Sequence, residues 1–154
     1  IYMGDWSSDV CSSDLYGRKA YEANAKHWQA IPHLSTSTAN EIAFAHMMNE
    51  KPKLVFSKTM EKAEWNARLV KDNIAEEIQK EKQKPGKDMV LFAGSNIAQT
   101  FINLNLIDEY RFLLHPIILG KGNPLFGNIA ASHNLKLIEA KSSPKGIVIL
   151  RYQP

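Results

Sequence analysis

Three short stretches carry residue types that hold multiply charged ligands. Gly17-Arg18-Lys19-Ala20 precedes a run with helical periodicity. Backbone N–H groups left open at a helix start, with two cations beside them, make an anion site. Ser57-Lys58-Thr59 closes an apolar stretch and offers two hydroxyls and an ammonium. Ala93-Gly94-Ser95-Asn96, followed by Ile97 and Ala98, joins an apolar run to a second helical pattern. In open α/β sheets ligands collect where strands end in such turns. One turn of this kind is ordinarily just a cap. Three in one chain set a phosphate-bearing ligand beside the plainer reading of three caps.

Other chemistry-bearing residues read as structural. His27, His33, His46 and His133 fall in different elements with no ligand spacing, so no metal is expected. His115 precedes Pro116 in a strand-like run and reads as a packed or edge residue. Asp108 and Glu109 are adjacent, and neighbouring strand residues face opposite ways. They start a strand and hold a turn or a dimer contact more readily than they work as an acid–base pair. Trp28 and Trp65 read as core or pocket wall, and Met47-Met48 as packing. The densest basic stretch, Gln79 to Lys87, reads as a solvated helix end and turn. No aromatic residue interleaves there to stack on bases, so nucleic acid is not an expected partner.

The elements that must position the three turns follow from periodicity. Gly17 to Pro32 predicts a helix, with Tyr21, Ala25 and Trp28 on one face. Ser35 to Pro52 predicts another, with Ser37 or Thr38 as N-cap, Glu41 completing a capping box, and Ile42, Phe44, Ala45 and Met48 as its apolar stripe. Lys53 to Ser57 is a short buried strand and Glu64 to Val70 a weaker one. Asp72 is placed as the cap of a helix in which Ile74, Ala75 and Ile78 face inward and Glu76 pairs with Lys80. Pro85-Gly86 turns the chain. Asp88 to Gly94 has the uninterrupted apolar character of a parallel strand covered on both faces. Ser95 is placed as the cap of a helix to about Asn105. Asp108 to Phe126 is a long strand running into a Gly/Pro loop, and Asn134 to Gln153 is a hairpin turning at Ser143-Pro144-Lys145-Gly146. Helices alternating with strands, then a β-rich end, predict an α/β fold with a mixed sheet.

The 154 residues suffice for one domain with a real core. No stretch approaches the ~20 apolar residues of a membrane helix, and a lone Cys forms no internal disulfide, which suits a reducing, cytoplasmic setting. The net charge of +3 is spread along the chain and mixed with Glu.

Tyr16-Gly17-Arg18-Lys19-Ala20-Tyr21-Glu22, then LVFSKTMEKAEWNARLV, then LFAGSNIAQTFINLNLIDEYRFLLHPIILGKGNPLF, resemble the dihydrofolate reductase-like family. More narrowly they resemble the branch named for the reductase (C-terminal) domain of bifunctional riboflavin biosynthesis proteins. The resemblance runs from Tyr16 to about Tyr152 and is most specific at HPIILGKGNPLF. It implies a three-layer fold with a mostly parallel twisted sheet and a C-terminal hairpin. It implies NADPH as cofactor and hydride transfer to a C=N or C=O bond of a small pteridine- or pyrimidine-like heterocycle, in a homodimer. Gly17, Arg18, Lys19 and Ala20 match the turn that meets the cofactor phosphates. Ser57, Lys58 and Thr59 match the turn near the adenosine 2′-phosphate. Gly94, Ser95, Asn96, Ile97 and Ala98 match the loop and helix start beneath the pyrophosphate. Two positions depart from the pattern: Ala20 stands where Thr is usual, and Ala93 where a second Gly is common. Both favour a rival reading, a nucleotide-binding or dimerising domain of the same fold without reductase activity.

The first fifteen residues match none of this. Asp5 to Leu15, DWSSDVCSSDL, back-translates codon for codon into a common short-read sequencing adapter. The frame is therefore expected to enter gene sequence near Leu15 or Tyr16. A central strand and the helix bearing a proton-donating carboxylate are expected upstream, so no catalytic residue is named. Residues 1–15 are expected to be extended or irregular and not to fill the central strand position with good alternation.

Overall fold

The computed structural model describes residues 11–92 and 94–154. They divide into two compact units, meeting in the chain at Ile97 and Ala98. The first unit holds a four-stranded, all-parallel sheet in the order β3-β2-β1-β4. Its strands are β1 (Cys11–Gly17), β2 (Lys53–Phe56), β3 (Ala67–Val70) and β4 (Asp88–Phe92). Its helices are α1 (Arg18–Ala30), α2 (Ala39–Glu50) and α3 (Ile74–Lys82), and α4 (Ser95–Asn103) begins in it. The second unit carries an antiparallel sheet in the order β5-β7-β6, built from β5 (Tyr110–Leu114), β6 (Lys136–Ser142) and β7 (Val148–Gln153). The expected α/β class, the parallel sheet and the C-terminal hairpin are all present.

The expectation for the first residues is overturned in part. Cys11 to Leu15 belong to β1, which lies between β2 and β4 and pairs with both. Asp14, Leu15 and Tyr16 are fully buried. The segment lacks β-branched residues, but a position flanked by two parallel strands offers its backbone partners on both sides. The misfit appears as irregularity instead, a register shift between Cys11 and Ser13. The remainder of the adapter-like stretch, residues 5–10, lies outside the described residues. On the other side of β1, β4 is an edge strand whose Val90, Leu91 and Phe92 are only partly buried.

The core of the first unit is aromatic. Tyr16 stacks on Phe92 at 5.4 Å between ring centroids and lies 5.9 Å from Trp65. Tyr21 completes the group and donates its hydroxyl to the Glu64 carbonyl at 2.6 Å. Trp28 and Trp65 are both buried, and Asn49 ties them together: its amide donates to the Trp28 carbonyl, and the Trp65 indole donates to its Oδ1. Thr38 caps α2 with Glu41 in the predicted reciprocal box.

Several boundaries differ from expectation. β3 starts only at Ala67, because Trp65 and Asn66 adopt positive φ (51° each), which no strand accommodates. The cap of α3 is Asn73, itself left-handed at φ 54°, and not Asp72. Lys80 pairs with Glu77 rather than Glu76, at 3.0 Å, and Arg68 bridges Glu77 and Glu81. β5 stops at Leu114, leaving His115 exposed beyond the strand end. The hairpin turns as predicted, with Gly146 at φ 79° and its N–H donating to the Ser143 carbonyl.

Candidate functional site

The parallel sheet sets the order of the three turns. β2, β1 and β4 are consecutive neighbours running in one direction, with Gly17 opposite Phe56 and Tyr16 opposite Phe92. Their carboxyl ends therefore deliver Ser57, Gly17 and Gly94 to one rim of the sheet, in that order. Neighbouring strands lie about 4.8 Å apart, so the row spans roughly 10 Å. That is room for more than one phosphate group.

Two helices start on this rim, and the N-terminus of α1 receives no side-chain cap. The N-cap of α1 is Gly17, which supplies no side chain to its first turn, and that turn holds no acidic residue. The first turn of α4 is likewise free of acid. Elsewhere α2 spends its N-terminus on the Thr38–Glu41 box, and α3 carries Glu76 and Glu77 in its first turn. The positive ends of α1 and α4 thus remain uncompensated by carboxylates of their own.

Gly17 holds the two turns together. A Cβ on it would fall 2.9 Å from Cγ2 of Ile97 and 3.2 Å from its Cβ. Its φ of −82° and ψ of 159° suit any residue, so this close approach, not backbone freedom, requires glycine. Gly94 is different: a Cβ there would meet nothing within 4 Å, so the space above it is open.

The remaining predicted residues fall into place unevenly. Arg18 and Lys19 are exposed, and Arg18 pairs with Glu22 at 3.3 Å across one helical turn. Such a surface pair contributes only ~0.3–0.5 kcal/mol, so Arg18 exchanges partners at little cost. Ala20 points the other way: it packs against the aromatic core cluster. Ser57 Oγ accepts from the N–H groups of Thr59 (3.3 Å) and Met60 (3.2 Å), which fixes the turn. Lys58 is exposed, with Asp72 a loose partner at 3.9 Å. Ser95 and Ile97 are partly buried and Asn96 is exposed, whereas Ala98 is buried. Ala93 lies outside the described residues, and with it the question of its Cβ. A rim with two acid-free helix starts, open space at Gly94 and exposed cations fits a polyanionic nucleotide.

Such a turn-and-rim arrangement on a parallel sheet has relatives. The model of the RibD C-terminal domain matches residues 17–149. This chain belongs to the RibD C-terminal domain family. The protein YyaP of Bacillus subtilis (strain 168), itself uncharacterized, is 38% identical over 139 residues, covering 90% of this chain and 71% of that protein. Among solved structures, a candidate riboflavin biosynthesis protein from Shewanella sp. PV-4 superposes with a TM-score of 0.75 at 22% identity, over 99% of this chain and 80% of its own. RibD of Acinetobacter baumannii gives a TM-score of 0.61 at 14% identity, over 94% of this chain but 47% of its own length. Membership of the RibD C-terminal domain family agrees with the resemblance read from the glycine turns and the HPIILGKGNPLF segment. Among the described residues no helix is long and apolar enough to cross a membrane, and no three His, Cys, Asp or Glu side chains converge.

Two features of this RibD-type domain were missed in the sequence. One is Ile97 as the partner of Gly17. The other is Lys53, buried to 2% exposure although it opens an apolar strand. Its Nζ donates to the carbonyls of Met48 (2.5 Å) and Lys51 (2.6 Å) and lies 4.1 Å from the Trp65 ring centre. Burial pushes its ammonium down to about 8, opposed by the neighbouring Asp14 carboxylate. Lys53 and Trp65 also line an open cavity of about 540 Å³ at the amino ends of the strands, opposite the rim. A lysine inside KLVF was the available signal.

Proposed function

We propose that the chain is the cofactor-binding part of an NADPH-dependent reductase acting on a small pteridine- or pyrimidine-like heterocycle. The observation that carries this reading is the pair of acid-free helix starts side by side at the ends of β1 and β4, locked together at Gly17 and Ile97. Backbone N–H groups of the first turns of α1 and α4 would receive the phosphate oxygens of the dinucleotide bridge. Arg18 would leave Glu22 for a phosphate and hold it bidentately. Lys58 and the Ser57 and Thr59 hydroxyls would meet the 2′-phosphate, which separates NADPH from NADH. When bound, NADPH supplies the hydride; the protein's part is to orient it and balance its charge.

The test is a titration of the protein with NADPH and with NADH, followed by turnover assays with dihydrofolate and with a ribosylaminopyrimidine. Saturable NADPH binding, weakened at least tenfold by Lys58→Ala while NADH binding is unmoved, is expected. No saturable binding of NADPH would end the reading. A second reading, a nucleotide-binding domain without turnover, draws on Ala20, which packs on the core and offers no hydroxyl to a phosphate. It predicts NADPH binding with no oxidation of the nicotinamide by either substrate.

A further inference from the structure

We propose that Asp72 sets how strongly this chain prefers NADPH over NADH, its carboxylate opposing a 2′-phosphate and accepting a hydrogen bond from a 2′-hydroxyl. The inference rests on the dinucleotide reading of the rim. It adds the residue that weighs one cofactor against the other.

The rim does not stop at Ser57. β3 runs parallel to β2, with Phe56 opposite Val70. The ladder goes one bond further, the Ser57 N–H donating to the Val70 carbonyl at 3.1 Å. Lys71 and Asp72 therefore leave the sheet beside Ser57 and Lys58, at the same ends of the strands. The side chains approach each other there: Asp72 Oδ1 lies 3.9 Å from Lys58 Nζ, and both groups are mostly exposed. Asn73 then turns the chain into α3 at φ 54°, so Asp72 stays at the strand end, outside the helix.

The charge changes sign at this corner. The starts of α1 and α4 hold no acid in their first turns, whereas α3 carries Glu76 and Glu77 in its own. From β4 toward β3 the rim thus passes from helix ends that suit a phosphate to one already compensated by carboxylates. Asp72 stands on that boundary. Lys71 beside it is exposed, so the corner holds two ammonium groups with one carboxylate set among them. A carboxylate in this position accepts from the 2′-hydroxyl of NADH. Against NADPH it places like charge beside the 2′-phosphate, and it competes with that phosphate for Lys58. An exposed pair this long holds weakly, so the phosphate displaces Asp72 and the preference for NADPH is narrowed, not reversed.

Fluorescence titration of NADPH and of NADH on the full chain tests it, with Asp72→Asn and Asp72→Ala beside the wild type. Asn keeps an acceptor and drops the charge; Ala drops both. The expected NADPH dissociation constant falls about threefold to fivefold in both variants, the scale of one exposed charge contact. The NADH constant should rise by a similar factor in Asp72→Ala and by less in Asp72→Asn. The NADPH gain should shrink in about 1 M salt, where screening acts within about 3 Å, while the NADH loss persists. A purely structural role at the turn into α3 would move both cofactors the same way, and that outcome overturns the proposal. So does an unchanged ratio of the two constants with NADPH binding intact, which leaves the dinucleotide reading of the rim standing. A wild type that binds neither dinucleotide removes that reading and this inference together.

Discussion

Replacing Gly17 by Ala probes the joint between the two helix starts. Three contributions to stability can be set out in advance. Ala restricts the unfolded chain and gains ~0.4–1 kcal/mol, because the native φ of −82° is open to it. Ala is a poorer N-cap than Gly, which costs a similar amount. These two nearly cancel. What remains is steric: the new methyl would lie 2.9 Å from Ile97 Cγ2, and Ile97 is β-branched, so its Cβ at 3.2 Å cannot swing aside. Overpacking of this kind costs ~1–3 kcal/mol.

The joint also sets the first turn of α1 beside that of α4, so on the proposed function NADPH affinity should fall beyond any loss of stability. A double-mutant cycle separates the causes. Ile97→Ala removes Cγ1 and Cγ2 and leaves only the 3.2 Å contact. In that background Gly17→Ala should cost roughly 1 kcal/mol less than in the wild type, a coupling within the range seen for touching residues. Urea unfolding gives the stabilities and a fluorescence titration the affinities. The reasoning fails if Gly17→Ala is neutral in both assays, or if its cost is the same with and without the isoleucine side chain.

Lys53→Met should destabilise the first unit by roughly 3–5 kcal/mol in urea unfolding, because it strips the buried Asp14 of its neighbouring cation and two carbonyls of their donor. The wild type should gain stability relative to this variant as pH rises from about 8 toward the ordinary lysine value, since over that window the unfolded chain holds a proton the folded one has released. Glu109 receives Arg151 at 2.8 and 3.1 Å and Arg111 at 2.5 Å. These hydrogen bonds, that of Arg151 first, bring its carboxyl down to about 2 against the cost of its partial burial. Its contribution is therefore complete above the usual carboxylate range and lost as pH falls toward 2. Glu109→Gln should flatten that part of the acid-unfolding profile, and an unchanged profile would show the arginines hold the sheet without it.

Much of the rim was legible because it is written in local chemistry. A glycine followed by two cations, a hydroxyl pair at a strand end and a Gly-Ser helix start announce themselves within four residues each. Periodicity likewise carried α1 and α2, whose buried faces repeat at the helical interval, and the Ser143–Gly146 turn carried the hairpin. What escaped depends on distant residues. Nothing near Gly17 says that its neighbour is Ile97, eighty positions on. Asp72 looked like a better cap than Asn73, but only the latter enters the left-handed conformation at which the chain turns into α3. The Asp108-Glu109 pair was read as a strand start or a turn, and Glu109's two arginines come from β5 and β7 and meet only when the sheet forms.

β1 is the sharpest case. Side-chain pattern argued that Cys11 to Leu15 should stay out of the sheet, and the sheet took them in. The reason lies in the partner strand. Asp14 sits in register with Lys53, so the one buried carboxylate among the described residues lies beside their one buried ammonium. That ammonium is already committed to two carbonyls at the end of α2 and to the Trp65 ring. Asp14 therefore shares a cation that the structure needs for another purpose. Losing one partner of a buried pair is costly when it strands the other charge, but Lys53 keeps its two carbonyl acceptors without Asp14. If the stretch before Tyr16 is foreign to the gene, an apolar residue at position 14 should be tolerated or favoured, whereas Lys53 should not be replaceable. Asp14→Val alone should match or exceed the wild type in urea, because it lifts a buried carboxylate and leaves Lys53 its carbonyls. Marked destabilisation by Asp14→Val would mean instead that the carboxylate is an integral partner of Lys53.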